Sequence, residues 1–226
     1  MRLRWQAELP QWLIIIAMFV VAAVLWSSTP ARVPVHWNAS GQVNGYGGRF
    51  EGLLLLPLIA VGLYLLPLFI PRIDPGKANY TQFASAYVVV RFTVLVMMAG
   101  FYAFSLLAVR GVKIDITRAF VGVIAVMFIV LGNVLGKVRP NWFVGVRTPW
   151  TLSSKRSWVR THRLAGRLFA LTGLIFLILA LVGIGPAIFW ILMAVLGVVT
   201  TILVAYSYVE WRHDPEKLPP AGTSPG

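Results

Sequence analysis

Long apolar runs separated by short polar segments form the dominant pattern along this chain. A helix that crosses about 30 Å of hydrocarbon needs about 20 mostly apolar residues. Six runs meet or approach that length, at 11–27, 53–70, 86–109, 118–136, 167–184 and 187–209. Pro57 and Pro67 predict a kink in the second run, and Gly185-Pro186 predicts a tight antiparallel turn between the last two. The pattern therefore predicts an all-α integral membrane protein with six transmembrane helices.

The amino-acid composition supports a membrane protein and excludes several classes of soluble protein. Of the 226 residues, 58% are hydrophobic and only 12% are charged, whereas an ordinary soluble domain carries about 25% charged residues. This shortage of charge excludes a soluble globular enzyme, a disordered chain and a conventional nucleic-acid-binding domain. The chain has no Cys, which excludes a disulfide framework, a thiolate metal site and a Cys nucleophile.

The distribution of basic residues predicts the orientation in the membrane. Lys and Arg number 20 against seven Asp and Glu, and eight of the basic residues fall in 137–167. Basic residues concentrate in cytoplasmic loops, so we expect 137–167 to be an inner loop, 28–52 an outer loop, and both termini to be cytoplasmic. In a membrane chain the excess also indicates contact with anionic lipid headgroups rather than direct binding of nucleic acid.

The connections divide the chain into three parts. Residues 71–85 are rich in Pro, Gly and Asn and form the predicted boundary between an N-terminal two-helix unit with its outer loop (1–75) and a four-helix region (86–209). The polar, Pro- and Gly-rich segment 210–226 is predicted to be a disordered tail.

The composition of the outer loop predicts a small ordered structure, a cap, over the outer membrane face. Asn44-Gly45, between Val43 and Tyr46, is a signal for a β-hairpin turn. His36 and Asn38 are candidate binding residues, and the acids Glu51 and Asp115 lie on the same predicted face. A metal or acid–base site is one interpretation. A structured loop in which His36 makes a local hydrogen bond is the favoured one.

The inner loop contains most of the candidate chemistry. Asn133 lies between Gly132 and Gly136, whose missing side chains allow close approach of another helix. Pro140 and Pro149 interrupt helical structure on either side of 141–145. A new helix begins either after Ser153 or Ser154, or earlier with Thr148 as cap and Pro149 as its first residue.

A helical projection at 100° per residue from Arg156 separates two faces. Arg156, Arg160, Arg163 and Arg167 form one narrow stripe, and Trp158 and His162 lie on the opposite face with Ala165 and Phe169. The projection predicts guanidinium groups facing phosphate or cytoplasm, and Trp158 and His162 facing the bundle. The alternative is a generic basic loop with a juxtamembrane helix whose side chains reach the interface.

Arg91 is an ionisable residue within the third predicted span, and such residues are functional candidates. By depth its nearest counter-ions are Glu210 and Asp74. We therefore expect an anion-seeking cluster at the cytoplasmic boundary, composed of Arg91, Asn133, Asn141, Arg147, His162 and Glu210.

The motifs of both loops resemble known families. The inner loop carries Gly132-Asn133, Pro140-Asn141, Gly145-Val146-Arg147-Thr148-Pro149-Trp150-Thr151, then Trp158 and His162. This order and spacing resemble those of the SdpI family of bacterial immunity proteins. The outer loop carries Pro34, His36-Trp37-Asn38, Gly41 and Asn44-Gly45. It is similar to a small domain of unknown function that is often fused ahead of SdpI regions.

The resemblance implies a multi-pass protein of the bacterial plasma membrane that protects its host against a secreted toxic peptide. It also implies a signalling role, in which the protein holds a soluble repressor at the membrane. It implies no enzyme activity, cofactor or metal. Candidate ligand- or partner-binding residues are Asn133, Pro140, Asn141, Gly145, Arg147, Thr148, Pro149, Trp150, Trp158, His162, Arg91, His36 and Asn38.

Two alternatives to this function remain open from the residues. One is a transporter of small solutes or ions, with which the proline-interrupted second span and Arg91 are compatible. The other, less favoured, is a membrane enzyme acting on a phospholipid, with Arg147 holding phosphate and His162 transferring protons.

Overall fold

The computed structural model describes residues 5–219 as a helical bundle with a small β-hairpin. Its elements in chain order are α1 (Trp5–Leu25), β1 (Val33–Trp37), β2 (Val43–Gly47), α2 (Arg49–Leu53), α3 (Leu55–Ile73), a 3-10 helix (Lys77–Thr81), α4 (Ala84–Val109), α5 (Ile116–Leu135), α6 (Pro149–Leu152), α7 (Lys155–Val182) and α8 (Ala187–Arg212). Six of the described helices, α1, α3, α4, α5, α7 and α8, are long and apolar enough to cross a membrane. The six-helix prediction is confirmed, and the cytoplasmic placement of the termini stays a prediction.

The ordered cap predicted for the outer loop is confirmed, but its turn lies elsewhere. β1 and β2 pair antiparallel, with Val33 opposite Gly47 and His36 opposite Gly45. The chain reverses at residues 38–42, where Gly41 has a φ of +76° that favours glycine. Asn44-Gly45 is therefore inside β2. A Cβ on Gly45 would lie 2.8 Å from the Cβ of His36, so glycine permits the close strand contact there.

Two groups of helices form the core. Tyr64 of α3 and Leu95 of α4 are buried against α1 near Ile15. Phe176 of α7 is buried with Ala125 of α5, and α8 closes this second group. We call the end of the bundle that carries the hairpin the hairpin end, and the opposite end the inner-loop end.

Helices α5 and α7 approach each other through glycines. A Cβ on Gly132 would lie 2.5 Å from the backbone nitrogen of Ala170, and a Cβ on Gly173 would lie 2.6 Å from the carbonyl oxygen of Ala125. Neither site has room for a side chain. These glycines set the separation of the two helices, as small residues do in membrane bundles.

Both proposed helix starts after the inner-loop prolines occur. Thr148 caps the short helix α6, whose first residue is Pro149. Ser154 then caps α7 by accepting a hydrogen bond from the Ser157 nitrogen at 2.9 Å. α7 is continuous through the basic segment and the apolar segment, so the fifth span extends 12 residues further toward its N-terminus than the predicted 167–184. Its last turn is capped by Arg118 of α5, which donates to backbone carbonyls there.

The prediction of a disordered tail from residue 210 is wrong for its first part. α8 continues through Arg212, and the chain then folds back so that the Leu218 nitrogen donates to the Ser153 carbonyl at 3.0 Å. Asp214 is buried and accepts a hydrogen bond from the Ser154 hydroxyl. That bond holds the pKa of the Asp214 carboxyl below its usual value. The remainder of the predicted tail, 220–226, lies outside the described residues.

Candidate functional site

The part of the inner loop that precedes α6 is folded around Asn141, which is 1% exposed. The Asn141 amide nitrogen donates to the carbonyls of Arg139 (2.9 Å) and Val144 (3.0 Å). Its amide oxygen accepts from the backbone nitrogens of Phe143 (2.9 Å) and Val144 (2.7 Å). One asparagine side chain thus bonds four backbone groups within residues 139–144, and these bonds fix the conformation of the segment.

His162 holds the same segment from the side of α7. The histidine is fully buried, and its ring stacks on Trp158 with 4.1 Å between ring centroids. Its Nε2 accepts from the Val146 nitrogen at 3.0 Å, and its Nδ1 donates to the Trp158 carbonyl at 2.8 Å. Gly145, with a φ of +117°, leaves room for the ring, because a Cβ there would lie 2.2 Å from Nε2. Both ring nitrogens therefore have backbone partners.

The motif residues that follow connect the loop to α8. The Thr148 hydroxyl lies 3.0 Å from the Ser207 hydroxyl, and Ser157 donates to the Ser207 carbonyl at 2.8 Å. Trp150 packs edge-on against Tyr208, with 5.2 Å between ring centroids. The projection that placed Trp158 and His162 toward the bundle is confirmed, and most of the motif builds a scaffold.

The exposed part of this scaffold is small and well defined. Trp142 is 48% exposed and Phe143 is 37% exposed. Arg147 is exposed as well, and its guanidinium donates to the Trp142 carbonyl at 2.6 Å. Of the sequence-predicted loop candidates, Arg147 is the one whose charged group is available to a ligand. The binding roles of the others stay predictions.

Sequence reasoning assigned Asp74 the wrong role. Asp74 is 1% exposed and accepts hydrogen bonds from the Gly76 nitrogen (2.6 Å), the Tyr80 hydroxyl (2.7 Å) and the Trp142 nitrogen (3.1 Å). Burial, together with the bond to Asp74, raises the pKa of Tyr80. Asp74 thus ties the end of α3 to the inner loop. Its place before Pro-Gly is a turn signal that could have indicated this.

The six residues predicted to cluster at the cytoplasmic boundary do not come together. Arg91 differs most from the prediction, because its counter-ion is neither Glu210 nor Asp74. Arg91 binds Glu8 of α1 in a bidentate pair, at 3.0 and 2.8 Å, with both side chains at least 95% buried. The Tyr64 hydroxyl also donates to Glu8, at 2.9 Å. The predicted first span, 11–27, excluded Glu8, whereas α1 begins at Trp5 and includes it. An acidic residue inside a membrane helix requires a partner.

Two other members of the predicted cluster also lie elsewhere. Glu210 pairs with Arg156 at 3.0 Å and with Arg160 at 3.1 Å. Asn133 is exposed on α5, where its amide donates to the Ile129 carbonyl at 2.7 Å. Only Asn141, Arg147 and His162 belong to the folded inner loop.

The hairpin end contains a cavity of about 580 Å³. Its walls come from β1, the turn after it, α2, and the hairpin-side turns of α3, α4, α5 and α8. The apolar lining includes Leu55, Phe101, Phe120, Leu192 and Met193. This volume is typical of a pocket for a small molecule or a few side chains.

Polar groups at the cavity include the two outer-loop candidates. His36 Nδ1 lies 2.6 Å from the Asn44 amide oxygen, so the favoured local hydrogen bond is confirmed. The Asn38 amide oxygen accepts from the Ser40 and Gln42 nitrogens at 3.0 and 2.9 Å and so holds the hairpin turn. Among residues 5–219 no three His, Cys, Asp or Glu side chains are grouped to hold a metal ion.

This architecture is that of a multi-pass membrane protein with a β-hairpin over one end of the bundle and a folded basic loop over the other. Residues 137–207 match the SdpI/YfhL protein family, and residues 13–61 match a domain of unknown function, DUF1648. The chain is therefore similar to the SdpI/YfhL family in one region and to DUF1648 in the other, which confirms the resemblance. The six long apolar helices, together with this similarity, support a multi-pass location in the plasma membrane.

A curated relative matches most of the chain. "Immunity protein SdpI" of Bacillus subtilis (strain 168) is 21% identical over 197 residues, which cover 87% of this chain and 92% of that protein. No solved structure matches significantly.

Proposed function

We propose that this chain is a non-enzymatic membrane immunity protein that protects its host against a secreted toxic peptide. The observation that carries the proposal is the cavity at the hairpin end, whose walls come from both family regions. His36 and Leu55 lie in the DUF1648 region, and Leu192 and Met193 lie in the SdpI region. A peptide in this cavity would contact both regions at once.

The cavity has the chemistry to receive the apolar side of a membrane-active peptide. Phe101, Phe120 and Leu192 offer aromatic and aliphatic surface, and burying apolar area contributes roughly 25 cal/mol for each Å². Ser105 and Thr117 add hydroxyl groups to the same walls, and Glu51 places a carboxylate there. A peptide with an apolar face and one polar or basic group fits this combination.

Packing contacts hold the β-hairpin in position over the cavity. Val33 is 1% exposed, and a Cβ on Gly52 of α2 would lie 2.5 Å from a Val33 methyl carbon. Trp37 meets Phe120 edge-on, with 6.1 Å between ring centroids. The hairpin therefore forms a wall of the site.

The experiment measures membrane potential in sensitive bacteria challenged with a secreted, membrane-depolarising peptide. Cells that produce the chain should keep their potential. Ser105→Phe should remove most of this protection, because its ring would occupy the cavity. Ser105→Ala is the matched control and should protect as the original chain does. Both variants are compared at equal abundance in the membrane. Equal protection by both would contradict the role of the cavity, and no protection by the original chain would contradict immunity itself.

A second function, membrane recruitment of a soluble repressor, is favoured by the exposed group Trp142, Phe143 and Arg147. Aromatic residues and arginine supply most of the binding energy at protein interfaces, and Asn141 and Asp74 hold this group rigidly. Arg147→Ala should release the repressor to the cytoplasm while immunity is kept. His162→Ala should instead lower the amount of folded protein, because His162 is buried. Unchanged recruitment in Arg147→Ala would remove this surface from consideration.

The enzyme alternative loses its proton-transfer residue in this geometry. Both His162 nitrogens are bonded to backbone groups, and the ring has no exposed surface. The test is to delete and to overproduce the chain and to measure the lipid composition of the membrane. An unchanged composition would contradict a phospholipid-acting enzyme.

A further inference from the structure

One exposed face of α7 changes from basic to aliphatic along its length. Arg163 and Arg167 are exposed at the inner-loop end of this face. Leu171, Leu174 and Ile178 follow on the same face and are 55%, 51% and 51% exposed. At 100° per residue the five positions fall within about 80° of one another. The face thus begins with two positive charges and continues as an uninterrupted aliphatic track.

In the described part of the chain, the two arginines differ from the others on α7 because no acidic side chain pairs with them. Glu210 already binds Arg156 and Arg160. Within residues 5–219, neither Arg163 nor Arg167 makes an ion pair or a side-chain hydrogen bond. They lie four residues apart, so they are neighbours on the helix surface about 6 Å apart. Two adjacent guanidinium groups without a counter-ion form a site for a phosphate.

Helix α5 provides the other wall beside this face. Gly136, directly after α5, lies against α7, since a Cβ there would be in ordinary van der Waals contact with Cγ of Arg163 at 3.7 Å. Asn133 in the last turn of α5 and Lys137 just after that helix are both exposed. The Asn133 amide uses one hydrogen on the Ile129 carbonyl, which leaves its second hydrogen as a donor. Because Gly132 meets Gly166 and Gly136 meets Arg163, these donors and positive charges lie at the same end of the α5–α7 contact.

We propose that this surface of α5 and α7 binds an anionic phospholipid, with the phosphate held by Arg163, Arg167 and Asn133 and an acyl chain along Leu171, Leu174 and Ile178. The segment from Arg167 to Ile178 rises about 16 Å, about the thickness of one hydrocarbon leaflet. A phosphate at one end and an acyl chain of that length match the order of the face. Free phosphate would use only the charged end, and a soluble protein partner would leave the aliphatic track without a role. The proposal is independent of immunity.

The test measures lipid binding to the purified chain in detergent micelles by native mass spectrometry. The chain should retain phosphatidylglycerol in preference to phosphatidylcholine, and millimolar inorganic phosphate should not displace it. A basic residue near anionic lipid contributes about 1 kcal/mol, which is about fivefold in affinity. Arg163→Gln/Arg167→Gln should therefore weaken phosphatidylglycerol binding about 30-fold.

Two further variants make the test specific. Arg110→Gln/Lys113→Gln removes the same charge from the hairpin end and should change binding less than about twofold. Asn133→Asp, which keeps every basic residue, should also weaken binding because its carboxylate repels the phosphate.

Each opposite result would overturn the proposal. Equal retention of the two lipids would show no headgroup recognition. An equal loss in both double variants would show a general effect of charge. Displacement by inorganic phosphate would show that the acyl chain contributes nothing. Should Arg163→Gln/Arg167→Gln not fold, unchanged binding by Asn133→Asp would decide against the site.

Discussion

The buried pair between Glu8 and Arg91 provides a quantitative test of how the N-terminal helix is held in the bundle. Replacing Arg91 by Met would keep most of the side-chain volume but remove both hydrogen bonds to the carboxylate. Among residues 5–219, Glu8 would then retain the Tyr64 hydroxyl at 2.9 Å and the Gln11 amide at 3.4 Å but no counter-charge. Glu8 is 4% exposed, so water cannot replace the guanidinium.

The expected magnitude follows from this burial. Breaking a buried ion pair by removing one partner costs about 3–5 kcal/mol, whereas replacing both partners by apolar residues is often close to neutral. We expect Arg91→Met and Glu8→Leu each to lower the free energy of unfolding by about 3–5 kcal/mol. The double variant should be more stable than either single variant.

Reversible unfolding in mixed micelles of increasing SDS content measures these free energies. Arg110→Met is the control, because Arg110 is exposed and makes only a 3.4 Å contact with Ser28. Its effect should stay within about 0.5 kcal/mol. Single variants that cost less than about 1 kcal/mol, or a double variant equal to the sum of the singles, would refute the reasoning.

Two further predictions concern the inner-loop end. Gly145→Ala should lower the free energy of unfolding by about 2 kcal/mol or more, through a strained backbone and a clash with His162. Gly62→Ala is its control, since a Cβ there would meet nothing within 4 Å, and equal losses would contradict this account. Asp214 has a pKa held below its usual value of 3.8, chiefly by Ser154. Its stabilising contribution is therefore complete above that pH and is lost as the pH falls further. Thermal unfolding of Asp214→Asn should show a weaker loss of stability below about pH 4 than the original chain, and identical pH profiles would contradict it.

Much of the candidate site could be predicted from the sequence, because it depends on the spacing of residues that are close together along the chain. The helical repeat alone placed Trp158 and His162 on the buried face, and the prolines marked where the inner loop leaves helical structure. The partners of these residues could not be predicted in the same way. Arg91 meets a carboxylate 83 positions earlier in the sequence, and depth alone favoured two other acids. The Asn44-Gly45 signal was likewise overridden, because Asn38 and Gly41 build a competing turn nearby.

The sequence by itself determined that the chain is a six-helix membrane protein, because the apolar length of a span and the hydrogen-bonding demand of the backbone in hydrocarbon leave few other solutions. It also determined the family resemblance, through motif order in both loops. Only the tertiary structure decided which polar groups meet. The separation of α5 and α7 depends on glycines contacting another backbone. The hairpin-end cavity requires residues from the hairpin, α2, α3, α4, α5 and α8. Such contacts depend on how helices are placed relative to one another, and the pattern along any single helix does not contain that placement.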